Sequence, residues 1–142
     1  MADYPARRNH FAHKLVRIML RACAMQEIGT DGFALVTAIS HTEDAKHYSG
    51  AVTFWNDQLM SIMGFSRGQL DRSRATAIEH GWLYYEPGGK GKVGRYWSLL
   101  PERVSALGDN AVDCDAAVIM SKNAQDSAQD NAQDGFIMSK NA

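Results

Sequence analysis

The chain has 142 residues, of which 45% are hydrophobic and 22% charged, and its formal net charge is −1 at pH 7. This length suits one domain with a hydrophobic core rather than two ordinary domains, and the composition is that of a globular protein. No run approaches the ~20 apolar residues of a membrane-spanning helix, and the polar N-terminus lacks the apolar region of a signal peptide. We therefore expect a cytoplasmic protein with no membrane partner.

Charge is distributed unevenly along the chain. Residues 1–107 carry thirteen Lys and Arg residues against ten Asp and Glu residues, whereas residues 108–142 carry six Asp residues against two Lys residues. The sequence therefore predicts a mildly basic domain over 1–107 and an acidic tail over 108–142. An excess this small is common on ordinary solvated surfaces, so charge alone assigns no partner.

The first half of the chain is predicted to be mainly helical. Apolar residues recur at three- and four-residue spacing from His10 to Glu27, which indicates a helix that Gly29 ends. A second helix is predicted over 31–47, with an acidic residue at its start and a largely apolar first half. The β-branched and aromatic run 51–55 then predicts a very short strand.

A helix-turn-helix unit is predicted next. Asn56 or Asp57 is expected to cap a short helix that ends at Gly64. Ser66 then begins a second helix that runs to His80, with Gln69 three residues on, as in a capping box. Two helices joined by about three residues with a glycine in the turn are typical of this unit.

A β-hairpin is predicted to follow at once. The aromatic-rich runs 82–86 and 95–100 are strand candidates, and the segment 87–94, which contains four glycines, is the tip between them. The order helix, helix, strand, loop, strand is that of a winged helix. The expected fold class is therefore mainly α with a small β-hairpin (α+β), a winged helix-turn-helix with an extra N-terminal helix.

The acidic tail, residues 108–142, repeats itself. The string IMSKNAQD at 119–126 returns as IMSKNA at 137–142, and AQD occurs three times between 124 and 134. Because the tail is acidic and almost free of aromatic residues, we expect it to be disordered.

The second helix of the predicted unit carries candidate DNA-contacting side chains. On a helical wheel Leu70, Ala77 and Ile78 mark the inner face, and Arg72 lies nearly opposite. An Arg at such a position can form two hydrogen bonds with guanine O6 and N7, and a Gln can do so with adenine. The first turn and the outward arc supply the full set of candidates on this helix: Ser66, Arg67, Gln69, Arg72 and Thr76.

For two polar residues of this helix, a structural role is as well supported as DNA contact. Gln69 can complete the capping box at the start of the helix. Arg74 lies nearer the apolar side and can pair with a carboxylate at the edge of the core.

The hairpin tip offers a second set of basic side chains. Lys90, Lys92 and Arg95 stand among glycines, which let the backbone approach phosphates while the bases neutralise them. A tight turn needs only one or two glycines, so four favour phosphate contact over a simple turn. The string GKGKVG also matches GxGxxG, but a strand follows it instead of a helix, which excludes a dinucleotide site.

No pattern in the chain is typical of an enzyme or a metal site. His41 and His47 lie six residues apart on roughly opposite sides of a helix, and no CxxC, HExxH or nucleophile–base arrangement occurs. We therefore expect a protein that is not an enzyme and binds no metal or small-molecule cofactor.

The stretch from Asp57 to Pro101 carries a family resemblance. It has a helix ending in Gly-Phe, a serine, a basic helix, the string GWL, a glycine- and lysine-rich tip and a closing RYW strand. These features resemble the winged helix-turn-helix domains of phage- and plasmid-type replication proteins and of related bacterial regulators. The resemblance covers 50–101 and implies sequence-specific or structure-specific binding of double-stranded DNA, in transcription regulation or replication initiation. It implies DNA contacts through Ser66, Arg67, Gln69 and Arg72 of the helix and Lys90, Lys92 and Arg95 of the wing.

A second function stays open because Asp71, Glu79 and the tail are acidic. In this alternative the winged helix docks a protein partner through its aromatic hairpin, although strand alternation also sends several of these aromatics into the core. The aromatic residues concerned are Trp82, Tyr84, Tyr85, Tyr96 and Trp97. The sequence also leaves open the target DNA sequence, the choice between regulator and initiator, and whether the domain forms a homodimer.

Overall fold

The computed structural model describes residues 2–105, and the tail predicted to be disordered, 108–142, lies outside them. The described chain forms five helices and a three-stranded antiparallel sheet, which confirms the α+β class. The helices are α1 (Phe11–Arg21), α2 (Met25–Ala45), α3 (Asn56–Met63), α4 (Arg67–Glu79) and α5 (Glu102–Ser105). The strands are β1 (Val52–Phe54), β2 (Leu83–Glu86) and β3 (Gly94–Ser98).

The predicted first helix, His10 to Glu27, is wrong in its length. α1 ends at Arg21, Cys23 adopts a left-handed φ of 55°, and α2 begins at Met25. The break turns the chain so that α2 packs against α1, with Ala24 and Ile28 buried between them and the rest of the core. Periodicity misses this break because the apolar spacing continues across it.

Gly29 ends the short first stretch of α2, as the sequence predicts, because two helical segments meet there at a kink. Its φ of 74° and ψ of 171° interrupt the helical backbone, which then resumes and continues to Ala45. Such a positive φ is readily adopted by glycine and costly for other residues. The part of α2 after the kink matches the predicted 31–47 helix, and its buried Leu35, Val36 and Ile39 belong to the core.

The predicted cap of α3 is also wrong. Trp55, not Asn56 or Asp57, is the N-cap residue, and Gln58 Oε1 accepts a hydrogen bond from the Trp55 backbone N–H at 2.7 Å. The Asn56 side chain serves the tertiary structure instead, since its Oδ1 accepts a hydrogen bond from Arg74 Nη1 at 2.8 Å.

The two hairpin strands pair as predicted, and β1 adds a third strand along β3. The order is β1-β3-β2, with Tyr96 opposite Val52 on one side and opposite Tyr85 on the other. Alternation sends neighbouring residues of β3 to opposite faces. Tyr96 packs in the core, whereas Trp97 stacks on Tyr84 with ring centroids 4.0 Å apart.

A buried carboxylate ties the N-terminal segment to α2 and β3. Glu43 is fully buried, and its Oε1 accepts hydrogen bonds from Tyr4 Oη at 2.7 Å and from Arg7 Nη2 at 3.1 Å. Its Oε2 accepts from the backbone N–H and the hydroxyl of Ser98, at 2.7 and 2.6 Å. Arg7 also donates to the Ser98 carbonyl and lies over the ring of Phe11. The first residues of the described chain are therefore an integral part of the fold.

This cluster predicts a loss of stability in alkali. Burial, followed by the hydrogen bond to Glu43, raises the pKa of Tyr4 to about 12, against about 10 in an unfolded chain. A pKa raised by folding means that the stabilisation is complete below about pH 10 and is lost as the pH rises towards the folded value.

Denaturant unfolding measured across this alkaline range should therefore show a flatter pH profile for Tyr4→Phe than for the wild-type protein. Some slope should remain in the variant, because burial also raises the pKa of Tyr48 and of Tyr96. Identical slopes in the two proteins would mean that folding leaves the ionisation of Tyr4 unchanged.

Candidate nucleic-acid interface

The helix pair α3–α4 forms locally as the sequence predicts. Gly64 ends α3 in a left-handed conformation, with φ of 70°, and half-buried Phe65 packs against the core from the turn. Ser66 Oγ accepts a hydrogen bond from the Gln69 N–H at 3.2 Å, and Gln69 Oε1 accepts one from the Ser66 N–H at 2.9 Å. This reciprocal capping box fixes the start of α4, the helix expected to contact DNA.

The capping box limits what Gln69 can do. A two-bonded contact with adenine needs both the carbonyl oxygen and the amide nitrogen of the side chain. The carbonyl oxygen is already an acceptor within the capping box, so adenine recognition by Gln69 would require that bond to break. The sequence left two roles open for Gln69, and in the structure its side chain caps the helix.

Burial separates α4 into an inner and an outer face. Leu70, Ser73, Arg74 and Ala77 are buried, and Arg72 is exposed as expected. Ile78 departs from the expectation, because 41% of it is exposed instead of lying on the inner face. The wheel places Ile78 at the margin of the apolar arc, and the elements of residues 2–105 leave that margin partly open to solvent.

Arg72 is an exposed arginine on the outer face of α4. Its guanidinium runs back along the helix, and Nη1 lies 3.1 Å from where a Cβ on Gly68 would be, so the glycine leaves room for it. Arg72 and half-buried Thr76 border a cleft whose other side is formed by residues 28–31 of α2. The Thr76 hydroxyl donates to the Arg72 carbonyl at 2.9 Å, so its hydrogen atom is engaged within the helix.

The other two arginines of α4 share one carboxylate. Arg67 is exposed, and its Nε lies 3.2 Å from Asp71 Oδ1, while Arg74 Nη2 lies 3.1 Å from the same oxygen. The Arg67–Asp71 pair is solvated on both sides, so it contributes little stability and can exchange for another anion. Arg67 therefore remains accessible to a phosphate or a base.

Arg74 has a structural role. It is buried, and its Nη1 donates to Asn56 Oδ1 and to the Tyr96 hydroxyl, both at 2.8 Å. Its guanidinium carbon also lies 4.4 Å from the centroid of the Tyr85 ring. These contacts join α3, α4 and the sheet, and they remove Arg74 from any DNA-facing surface.

The three basic side chains of the hairpin differ in their surroundings. Lys90 and Lys92 are exposed, and neither takes part in an ion pair between described residues. Arg95 is half-buried, pairs with Glu86 on the adjacent strand, and has its guanidinium 5.7 Å from the centroid of a Trp97 ring. The accessible positive charge of the hairpin is therefore that of the two lysines.

The glycines of the hairpin tip have structural reasons of their own. A Cβ on Gly88 would lie 2.3 Å from the carbonyl oxygens of Lys92 and Val93, and a Cβ on Gly94 would lie 2.9 Å from a ring carbon of Tyr85. The remaining two adopt positive φ of 78° and 70°, where other residues are strained. The glycine content thus follows from the hairpin itself and no longer favours phosphate contact.

The aromatic hairpin is largely unavailable as a docking surface. Trp82, Tyr96 and Trp97 are buried, and only Tyr84 and Tyr85 remain half-exposed. Strand alternation buries some of these rings in the core. The N-terminal segment covers another, since Tyr4 packs edge-on against Trp97 with ring centroids 5.6 Å apart. Most of the surface on which the protein-docking alternative depends is therefore inside the fold.

One exposed aromatic residue was missed by the sequence reasoning. Trp55 is 49% exposed and borders a cleft between the start of α3 and the hairpin, together with Tyr85 and Lys92. The sequence carries a weak signal for this exposure. Trp55 directly precedes the polar start of a helix, so it lies outside the apolar pattern of both the strand before it and the helix after it. The predicted strand 51–55 includes it, whereas β1 ends at Phe54.

Two histidines lie close together on α1 and α2. The rings of His13 and His41 are 5.1 Å apart. Within residues 2–105, no group of three or more His, Cys, Asp and Glu side chains is arranged to hold a metal ion. Among the same residues, no helix combines the length and the apolar character needed to cross a membrane.

Comparison with known proteins adds no relative. No protein-family model, no curated protein and no solved structure matches the chain.

Proposed function

We propose that this chain is a winged helix protein that binds double-stranded DNA, with α4 in the major groove and the β2–β3 hairpin as the wing. The observation that carries the proposal is the exposure of Arg72, Lys90 and Lys92, none of which takes part in an ion pair between the described residues. Three accessible cations on α4 and the following hairpin suit a polyanion.

The arrangement of the elements supports this proposal. The order α3-α4-β2-β3 is the helix, helix, strand, loop, strand order expected of a winged helix. The capping box holds the first turn of α4, and the first half of a recognition helix is the part that meets base edges. In this assignment Arg72 contacts bases, and Lys90 and Lys92 contact phosphates. The protein would use this binding in transcription regulation or in replication initiation.

A salt titration of DNA binding tests the wing. Each phosphate contact that is lost should reduce the slope of log affinity against log salt concentration by roughly one. Replacing both Lys90 and Lys92 by alanine should therefore flatten the slope by about two and weaken binding about equally for all duplex sequences. Arg95→Ala should change the slope much less, since Glu86 already pairs with that side chain.

Lys46→Ala is the matched control, because Lys46 is an exposed lysine that follows α2 outside the proposed surface. It removes the same charge and should leave the slope almost unchanged. Equal effects of Lys46→Ala and Lys90→Ala would assign the salt dependence to overall charge and not to the wing. Absence of duplex binding by the wild-type protein at low salt would refute the proposed function.

A further inference from the structure

A small cleft opens beside the proposed wing. It lies between the β1–α3 junction and the hairpin, and it has a volume of about 200 Å³. Drug-sized ligands usually occupy about 300–1,000 Å³, so this cleft suits a single planar ring system. The residues that line it include the aromatic Phe54, Trp55 and Tyr85, the polar Asn56 and the positively charged Lys92.

Trp55 presents an exposed indole from a rigid position. Its backbone N–H donates to Gln58 Oε1 at 2.7 Å, and its carbonyl accepts from the Leu59 N–H at 3.1 Å, because it is the N-cap of α3. The side chain nevertheless remains 49% exposed. A large aromatic ring held on a fixed backbone and left open to solvent is the kind of platform on which nucleobases stack.

Tyr85, which also lines the cleft, is fixed as well. The Tyr85 ring stacks on Tyr96 with centroids 4.7 Å apart, and the Arg74 guanidinium lies 4.4 Å from its centroid. Arg74 in turn binds Asn56 Oδ1 at 2.8 Å, which holds that carboxamide in one orientation. The cleft is therefore preorganised, which lowers the entropy lost when a ligand binds.

We propose that this cleft binds one unpaired nucleobase of a bound DNA, stacked on Trp55, with Lys92 on the adjoining phosphate. The inference rests on the proposed function, since DNA lying along the wing brings phosphates to Lys92. The cation beside aromatic walls favours a nucleotide over an apolar side chain of a protein. The base must be unpaired, because both faces of a paired base are covered within the duplex stack. The protein therefore prefers duplexes that contain a bulged or unstacked nucleotide.

The experiment compares three short duplexes by fluorescence anisotropy. The first is fully paired, the second carries one bulged nucleotide, and the third carries an abasic residue at that bulge. Stacking of one base on an aromatic side chain contributes about tenfold in affinity. The wild-type protein should therefore bind the bulged duplex about tenfold more tightly than the abasic one.

Two variants assign the effect to the cleft. Trp55→Ala should abolish the difference between the bulged and abasic duplexes, and Trp55→Phe should retain part of it. Lys90→Ala is the control, because Lys90 lies on the same hairpin but does not line the cleft, and it should weaken all three complexes alike. Thermal unfolding of each variant checks that the fold is retained.

The failures of the two proposals are distinguishable. Equal affinity of the wild-type protein for the bulged and abasic duplexes, with duplex binding intact, overturns the base-binding cleft and leaves the proposed function standing. That comparison needs no variant, so it decides even if Trp55→Ala does not fold. A difference that persists in a folded Trp55→Ala protein also overturns the cleft. No binding to any of the three duplexes overturns both proposals.

Discussion

Glu43→Ala should lower the free energy of unfolding by about 3–5 kcal/mol, the usual cost of removing one partner from a buried ion pair. The substitution leaves the Arg7 side chain, which is 5% exposed, without its carboxylate. It also leaves the Tyr4 hydroxyl and the Ser98 N–H and hydroxyl without their acceptor. Such a loss is a large part of the ~5–15 kcal/mol that stabilises a typical domain.

Urea unfolding of four proteins measures this effect: wild type, Glu43→Ala, Arg7→Ala and the double variant. Because the two residues interact directly, the double variant should lose less stability than the sum of the single variants. Glu43→Gln keeps the side-chain shape but removes the charge, so it separates the ionic contribution from packing. A loss below about 1 kcal/mol for Glu43→Ala, the range of ordinary solvated pairs, would contradict the role assigned to this cluster.

Arg72→Ala should cost about 1–3 kcal/mol of binding free energy at a preferred DNA site, which is roughly five- to 150-fold in affinity. The variant lacks the guanidinium and therefore the two hydrogen bonds that it would form with guanine. Binding to random sequence should fall less, because phosphate contacts by the wing remain. Folding should stay within about 0.5 kcal/mol of wild type, since Arg72 is exposed and packs only along its own helix and the adjacent cleft.

Selection of preferred sites from a randomised duplex pool, with wild type and variant in parallel, provides the sites for this comparison. Arg17→Ala is the matched control, since it removes one exposed arginine from α1. An equal loss of affinity in the two variants would indicate a general charge effect. A wild-type protein that selects no sequence would refute base recognition by Arg72 and favour a protein that recognises phosphates or DNA shape alone.

The sequence by itself determined the structures that depend on neighbouring residues. The left-handed Gly64, the Ser66–Gln69 capping box and the two hairpin strands form as predicted. Their hydrogen bonds join residues a few positions apart or strands joined by one loop. Residue type and spacing therefore suffice to predict them.

Only the tertiary structure decided which polar groups are accessible. Arg74 looks as basic in the sequence as Arg72, but it is buried and donates to Tyr96 on a strand that folding brings close. Glu43 lies in the polar second half of its helix in the sequence, yet it is fully buried against Ser98, 55 residues further along the chain. The helical wheel gives the direction of a side chain on its own element. What lies opposite that side chain depends on how distant elements pack, and this determines which residues remain free to bind.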